Sequence, residues 1–139
     1  MPSLTTCQEE IESLHTFFLD WYGGDCPKDA IGRLETALAP SFQMVTPDGK
    51  RHDRSAVLEE IRSAYDRDKP ATFDIEIRNV DVRQDLETRA LVRYEEWQTT
   101  DDGSSGRLST ALLGETDAAV GPSDLEWLDL HETWLEEQS

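Results

Sequence analysis

Residues 125–135 read LEWLDLHETWL, in which apolar side chains recur among charged ones as in a half-buried β-strand. Three comparable segments precede it, over residues 73–82, 88–100 and 107–116, and only short loops separate them. Consecutive long strands with short connections predict an antiparallel meander. A bulge is predicted at Asn79, where the alternation of the first segment is interrupted.

The residues that precede these strands predict three helices and a hairpin. Apolar side chains spaced by three and four positions indicate helices over residues 6–22, 27–39 and 54–66. A short hairpin is predicted over residues 42–52, because a Pro-Asp-Gly turn lies at its centre. The whole chain of 139 residues is expected to form one α+β domain.

The net charge of -17 limits the kinds of partner that the protein can have. Phosphate contacts need clustered basic residues, so we expect neither nucleic acid nor an anionic membrane surface as a partner. No apolar run is long enough for a membrane span, and no secretory signal is recognisable, which favours a cytoplasmic protein. Abundant carboxylates with only three lysines also raise the hypothesis of a salt-adapted source.

Neither a cofactor nor a metal site is predicted. His15, His52 and His131 are isolated, and none of them has a second ligand at helical spacing. A glycine-rich phosphate loop is missing from the sequence. Cys7 and Cys26 lie at opposite ends of the first helix, so both are expected to be free thiols.

The order helix, helix, hairpin, helix and four long strands resembles the nuclear transport factor 2-like fold, also called SnoaL-like or cystatin-like. Within it, the chain is similar to small proteins that resemble the association domain of calcium/calmodulin-dependent kinase. The likeness is carried by Arg107, Ser109 and Thr110 in the penultimate strand and by residues 127–131 (WLDLH) in the last. It implies a curved sheet around the first helix, a conical pocket and a homodimer.

The fold that this chain resembles includes enzymes, and their catalytic residues can be compared with its sequence. Ketosteroid isomerase-like members use a tyrosine in the first helix and an aspartate base on the first strand. Here Phe17 and Thr46 stand at those positions, and a threonine hydroxyl cannot replace a carboxylate base. Whether the protein is an enzyme is therefore left open by its sequence.

His131 is the leading candidate for an acid-base group. Strict alternation places it on one strand face with Trp127, Asp129 and Thr133, and Asp129 would then orient its ring. Tyr94 is the second candidate, as a hydrogen-bond donor in the pocket. The competing interpretation is that His131 is a half-buried structural residue, that Tyr94 is a core ring and that its neighbour Glu96 is a solvated charge.

The remaining predicted contacts divide into a pocket and a partner surface. Predicted ligand contacts are Trp127, Asp129, Thr110, Met44, Trp21 and Tyr65. Trp97 and Trp134 interrupt charged patterns and predict a homodimer surface on the outer face of the sheet.

Three functions remain open at this point. The first is a protein that binds an unidentified small molecule in a hydrophobic conical pocket. The second is a SnoaL-like cyclase, isomerase or dehydratase that uses His131 as its acid-base group. The third is a non-catalytic association module whose purpose is the dimer.

Overall fold

The computed structural model describes residues 2–66, 74–101, 103–117 and 124–135. Within these ranges the elements follow the predicted order, helices first and the long strands last. Their bounds are α1 Leu4–Gly23, a 3-10 turn Lys28–Ile31, α2 Gly32–Ala37, β1 Leu38–Val45, β2 Arg51–Asp53, α3 Arg54–Ser63, β3 Asp74–Asp85, β4 Arg89–Thr100, β5 Gly103–Glu115 and β6 Leu125–Trp134.

Helix α1 is limited by one cap at each end. The Ser3 side chain accepts a hydrogen bond from the Thr6 N–H at 3.1 Å, which satisfies one of the free amides of the first turn. Gly24 ends the helix in the left-handed conformation, with φ of 69°, which only glycine adopts without cost. The buried side of α1 is an apolar stripe of Cys7, Ile11, Leu14, Phe17 and Trp21.

The predicted second helix is shorter than its apolar pattern indicates. It divides into the 3-10 turn and α2, and the chain becomes extended at Leu38. Pro40 excludes a longer helix, because the residue before a proline avoids helical geometry. Arg54 then hydrogen-bonds the Leu38 and Glu35 carbonyl oxygens at 3.1 and 2.6 Å, which satisfies groups at the end of α2.

The six strands form one curved, unclosed sheet in the order β2-β1-β6-β5-β4-β3. The meander from β3 to β6 is antiparallel, as predicted, whereas β1 runs parallel to β6. The predicted bulge at Asn79 is confirmed, since the register with β4 shifts between Arg78 and Asp81 and Asn79 has a φ of 56°.

A second bulge, in β6, decides which residues face the core. Leu112 pairs with Asp129 but Leu113 pairs with Trp127, so Leu128 is one extra residue in the strand. Leu128 packs over Gly114 on the outer face, where a Cβ on that glycine would lie 2.9 Å from it. Consequently Trp127 faces inward, whereas Asp129 faces outward.

The core lies between α1 and the inner face of the sheet. Its buried side chains come from the three helices and from β1, β4, β5 and β6. The largest fully buried ones include Trp127, Tyr94, Ile11, Leu34 and Leu113. Among the described residues, none of the helices combines the length and apolar character that a membrane crossing requires.

Candidate functional site

A cavity of about 390 Å³ lies between α1, α3, β1 and the inner face of the sheet. That volume is in the range of small-molecule sites. Most of its wall is apolar, and it consists of Leu14, Phe18, Tyr22, Leu34, Leu38, Phe42, Met44, Val57, Ile61, Ile75, Trp127 and Leu130. The polar part of the lining is Thr46, His52, Glu60, His15, Tyr94, Glu96, Gln98, Thr100, Arg107 and Glu132.

His15 and Glu96 form a buried pair in this wall. The His15 Nδ1 lies 2.7 Å from the Ile11 carbonyl oxygen, and its Nε2 lies 3.0 Å from Glu96 Oε1. A carbonyl only accepts, so Nδ1 carries a proton, and an ionised carboxylate requires a second proton on Nε2. The contacts therefore fit an imidazolium bound to a carboxylate. Gln98 Nε2 donates to the other Glu96 oxygen at 2.6 Å.

The pKa values of the pair move in opposite directions. Burial alone would lower the pKa of His15, but the charge of Glu96 and its hydrogen bond outweigh burial and raise it. Burial alone would raise the pKa of Glu96, but the His15 charge and the two side-chain hydrogen bonds lower it to about 2. Both shifts favour the ion pair over the neutral pair.

Glu132 and Arg107 form a second pair beside the first. Arg107 Nη1 donates to Glu132 Oε1 at 3.2 Å, and Ser109 Oγ donates to Glu132 Oε2 at 3.2 Å. Glu132 is only 3% exposed. Burial and the nearby charge of Glu96 raise the pKa of Glu132, and Arg107 opposes that shift. Two carboxylates of different proton affinity thus face the same cavity.

Two buried donors in this region lack a hydrogen-bond partner of good distance and angle among the described residues, although Ser109 on the neighbouring strand lies close enough to Tyr94 to oppose the rise in its pKa. They are the Tyr94 hydroxyl and the Arg107 Nε–H. Both residues line the cavity. Burial raises the pKa of Tyr94 well above its ordinary value, so the hydroxyl keeps its proton. Both polar atoms are enclosed in the cavity wall, so an acceptor could reach them only if the surrounding side chains moved slightly.

A third buried ion pair supports the wall from the side of α1. Glu10 is fully buried, and its Oε2 accepts from Arg33 Nη2 and from Trp127 Nε1, each at 2.9 Å. The Trp127 indole is thereby held by a charge-assisted hydrogen bond. This arrangement fixes the ring that forms part of the cavity wall.

Three of the residues predicted as contacts belong to the cavity wall, and their contact with a ligand stays a prediction. Tyr94, Trp127 and Met44 all line the cavity. Trp21 and Tyr65 do not belong to the lining, which corrects their predicted role. Trp21 Nε1 donates to the Ile61 carbonyl and the Tyr65 hydroxyl donates to the Cys26 carbonyl, each at 2.6 Å. Their polar atoms are thus occupied in joining helices and loops.

His131, Asp129 and Thr110 lie on the outer face of the sheet, which corrects their assignment to the pocket. They line a shallow outer groove, and both His131 and Asp129 are exposed. The prediction assumed strict alternation from Trp127 onward. The bulge at Leu128 reverses the faces beyond it, so Glu132 and not His131 faces the cavity.

The two tryptophans predicted for a partner surface lie on opposite faces. Trp97 is on the outer face, packed over Gly106 and below the Arg78 guanidinium at 5.0 Å. Trp134 follows Glu132 by two positions and is therefore on the inner face, where Arg107 lies 5.0 Å from its ring. Trp134 is 52% exposed, so its assignment to an outer surface is corrected.

His15, Tyr94, Glu96, Arg107 and Glu132 together form a polar cluster in the cavity wall. The sequence analysis missed most of it. It considered His15 only as a metal ligand, and for Glu96 it favoured a solvated charge over an acid-base partner of Tyr94, whereas both residues are buried. The available signal was the position of His15 within the apolar stripe of α1, four residues after Ile11. A histidine on a core-facing stripe needs a buried partner, and Glu96 supplies it.

Comparison with known proteins is consistent with this architecture. The family model described as sucrose-6-phosphate phosphohydrolase C-terminal matches residues 7–136. A nuclear transport factor 2-like protein of unknown function from Pseudomonas aeruginosa is 33% identical, with a TM-score of 0.83 over 94% of this chain and 98% of that one. None of the curated proteins matches significantly.

Two more distant structures show the fold alone. An uncharacterised protein with a cystatin-like fold from Caulobacter vibrioides has 15% identity and a TM-score of 0.63, covering 95% of this chain and 91% of its own. The calcium/calmodulin-dependent kinase II hub of S. rosetta has 15% identity and a TM-score of 0.62, covering 95% and 93%.

Proposed function

The chain belongs to the family described as sucrose-6-phosphate phosphohydrolase C-terminal, with a nuclear transport factor 2-like fold, and from that premise we propose that it binds a small molecule. The ligand has an apolar body and at least one hydrogen-bond acceptor. The observation that carries the proposal is the cavity of about 390 Å³ with two unpartnered buried donors among its described residues.

The free-energy balance of the cavity supports this proposal. A buried donor without a partner costs about 1–3 kcal/mol, and both the Tyr94 hydroxyl and the Arg107 Nε–H are in that state. An acceptor oxygen that reached either atom would recover part of that cost. The apolar wall, which includes Phe18, Met44 and Leu130, would cover the rest of the ligand.

The family description names a phosphohydrolase of a sugar phosphate, and we do not carry that ligand over to this chain. A phosphate ester needs cations that are not already neutralised. In the described lining, His15 is paired with Glu96 and Arg107 with Glu132, which leaves His52 as the one other basic residue of the described lining. The pocket is poorly suited to a phosphate group for that reason.

A filled-cavity variant tests the proposal. Met44 lines the cavity, whereas the next residue, Val45, lies outside its lining on the same strand. Nile red, an uncharged dye that becomes fluorescent in apolar surroundings, is titrated into the wild type and into Met44→Trp and Val45→Trp. We expect binding to the wild type and to Val45→Trp, and at least about a tenfold loss in Met44→Trp. Equal binding by both variants would place the dye elsewhere and contradict the proposal.

Acid-base catalysis is the second candidate, with Glu132 in the role that the sequence assigned to His131. It is favoured by the opposite pKa shifts of Glu96 and Glu132, which resemble the separation of an acid from a base. A ketone held by Tyr94 would present its α-hydrogen to the Glu132 carboxylate. Incubation with naphthyl methyl ketone in deuterated water, followed by mass spectrometry, tests this role. Exchange no faster in the wild type than in Glu132→Gln would exclude it.

A homodimer through the outer sheet face is a separate proposal. The outer groove contains Leu91, Leu108 and Leu112, an apolar row on an otherwise charged surface. Trp97 lies on the same face. One structural neighbour is the hub of a kinase, a fold likeness that is compatible with assembly. The association module therefore remains compatible with ligand binding, because the two surfaces lie on opposite sides of the sheet.

A further inference from the structure

We infer that this pocket selects uncharged carbonyl compounds and excludes carboxylates, because His15 and Arg107, the two basic residues of its inner wall, each already have a carboxylate partner. The inference rests on the proposed function and specifies its ligand class. It follows from the pairing of charges in the polar cluster, not from the shape of the cavity.

The charges can be counted from the contacts. His15 is bound to Glu96 at 3.0 Å and Arg107 to Glu132 at 3.2 Å. The side chains of both carboxylates are at most 8% exposed, so water screens them little. Two positive and two negative groups therefore leave this part of the cavity neutral. His52 from β2 and Glu60 from α3 also face the cavity.

An uncharged carbonyl can enter the cavity without disturbing either pair. Its oxygen would accept from the Tyr94 hydroxyl or from Arg107 Nε–H, the two buried donors in the wall, while Arg107 Nη1 keeps its hydrogen bond to Glu132. The ketone thus adds no charge to the cluster.

A carboxylate at the same position would be the third negative group in the cluster. It would lie near Glu96 and Glu132, and both cations would already be neutralised. Burying an uncompensated charge costs several kcal/mol, even after the surroundings relax. Arg107 could serve the ligand only by leaving Glu132 without its partner.

Glu132→Gln should reverse this preference. Glutamine keeps a carbonyl oxygen that can accept from Arg107 or Ser109, but it removes the negative charge. Arg107, whose side chain is 25% exposed, then loses its hydrogen-bonded counter-ion and keeps only the nearby charge of Glu96, which is already paired with His15. A carboxylate ligand supplies that counter-ion, so the variant should gain the binding that the wild type lacks.

The experiment uses two ligands of nearly equal shape. Naphthyl methyl ketone carries an uncharged acetyl group at the position where naphthoate carries a negatively charged carboxylate. Dissociation constants are measured at neutral pH by competition with Nile red and by thermal shift, for the wild type, Glu132→Gln and Glu126→Gln. Glu126 lies on the same strand outside the cavity lining, so Glu126→Gln is the matched loss of charge.

We expect the wild type and Glu126→Gln to prefer the ketone by at least about tenfold. In Glu132→Gln the preference should move toward naphthoate by at least about tenfold. A wild type that binds naphthoate as tightly as the ketone would overturn the inference, and so would an unchanged ratio in Glu132→Gln. If Glu132→Gln does not fold, the wild-type ratio alone decides. If neither ligand nor Nile red binds, the proposed function itself fails, which is a different outcome.

Discussion

Removing the charge of Glu96 should destabilise the protein, and the loss should depend on pH. In the wild type, His15 Nε2 lies 3.0 Å from a carboxylate oxygen of Glu96. Glu96→Gln keeps an oxygen near that position but leaves a buried imidazolium without its counter-ion. A fall in the pKa of Glu96 from 4.5 to about 2 corresponds to about 3 kcal/mol of native-state stabilisation. Breaking a buried ion pair by removing one partner typically costs about 3–5 kcal/mol.

The sign of each pKa shift gives the pH range of the effect. Because the folded pKa of Glu96 is lowered, its contribution is present above its ordinary value of 4.5 and is lost as the pH falls toward about 2. Because the folded pKa of His15 is raised, its contribution is present below its ordinary value of 6.5 and is lost as the pH rises through the folded value. Both contributions are complete between those ordinary values, near about pH 5.5.

Urea unfolding of the wild type, Glu96→Gln and the exposed control Glu9→Gln measures the effect. We expect Glu96→Gln to lose about 3 kcal/mol near about pH 5.5, and less above the folded pKa of His15, where the wild type has also lost its imidazolium. Glu9→Gln should stay within about 0.5 kcal/mol of the wild type. A loss of equal size at every pH would show that the pair is held by packing and not by charge.

Three other outcomes are expected. Trp97→Glu should give monomers in light scattering if the outer sheet face is the dimer surface. Trp134→Glu, on the inner face, is the control and should leave the measured mass unchanged. A Trp97→Glu variant that is still dimeric would show that Trp97 is not part of the interface. Cys7 is buried, and burial raises the pKa of its thiol to about 11, so a thiol reagent should modify Cys26 first in the native protein; equal rates on peptide mapping would contradict the burial of Cys7. With a net charge of -17, the urea midpoint should rise from low to molar KCl if the surface is salt-adapted, and a midpoint independent of salt would reject that hypothesis.

The order of elements could be predicted because it depends on local patterns. Periods of two and of about 3.6 residues, the Pro-Asp-Gly turn and the bulge at Asn79 are all visible in the sequence. An aspartate directly before a helix is another local signal, and the Asp53 side chain accepts from the Ala56 N–H at 2.9 Å at the start of α3. The end of α2 was predicted too late although Pro40 is a local signal, and Arg54, 16 to 19 residues further along the chain, adds a non-local contribution by bonding the Leu38 and Glu35 carbonyls.

The site was less predictable, because its geometry depends on one non-local feature. A strand with an extra residue has the same composition as one without it, so alternation alone placed His131 inward. Only the pairing of Leu112 and Leu113 with β6 shows where the alternation restarts. Burial of a carboxylate such as Glu132 also depends on Arg107 from the neighbouring strand, and the two are distant in sequence.

The extra residue at Leu128 has a consequence for comparing this chain with its relatives. A relative with a regular last strand would have one residue fewer between its counterparts of Trp127 and Glu132. An ungapped alignment anchored on the tryptophan would then equate Glu132 with an outward-facing residue, and the true counterpart would be displaced by one column. Pocket residues in this family should therefore be matched by counting from both ends of the last strand, with a single gap placed at position 128.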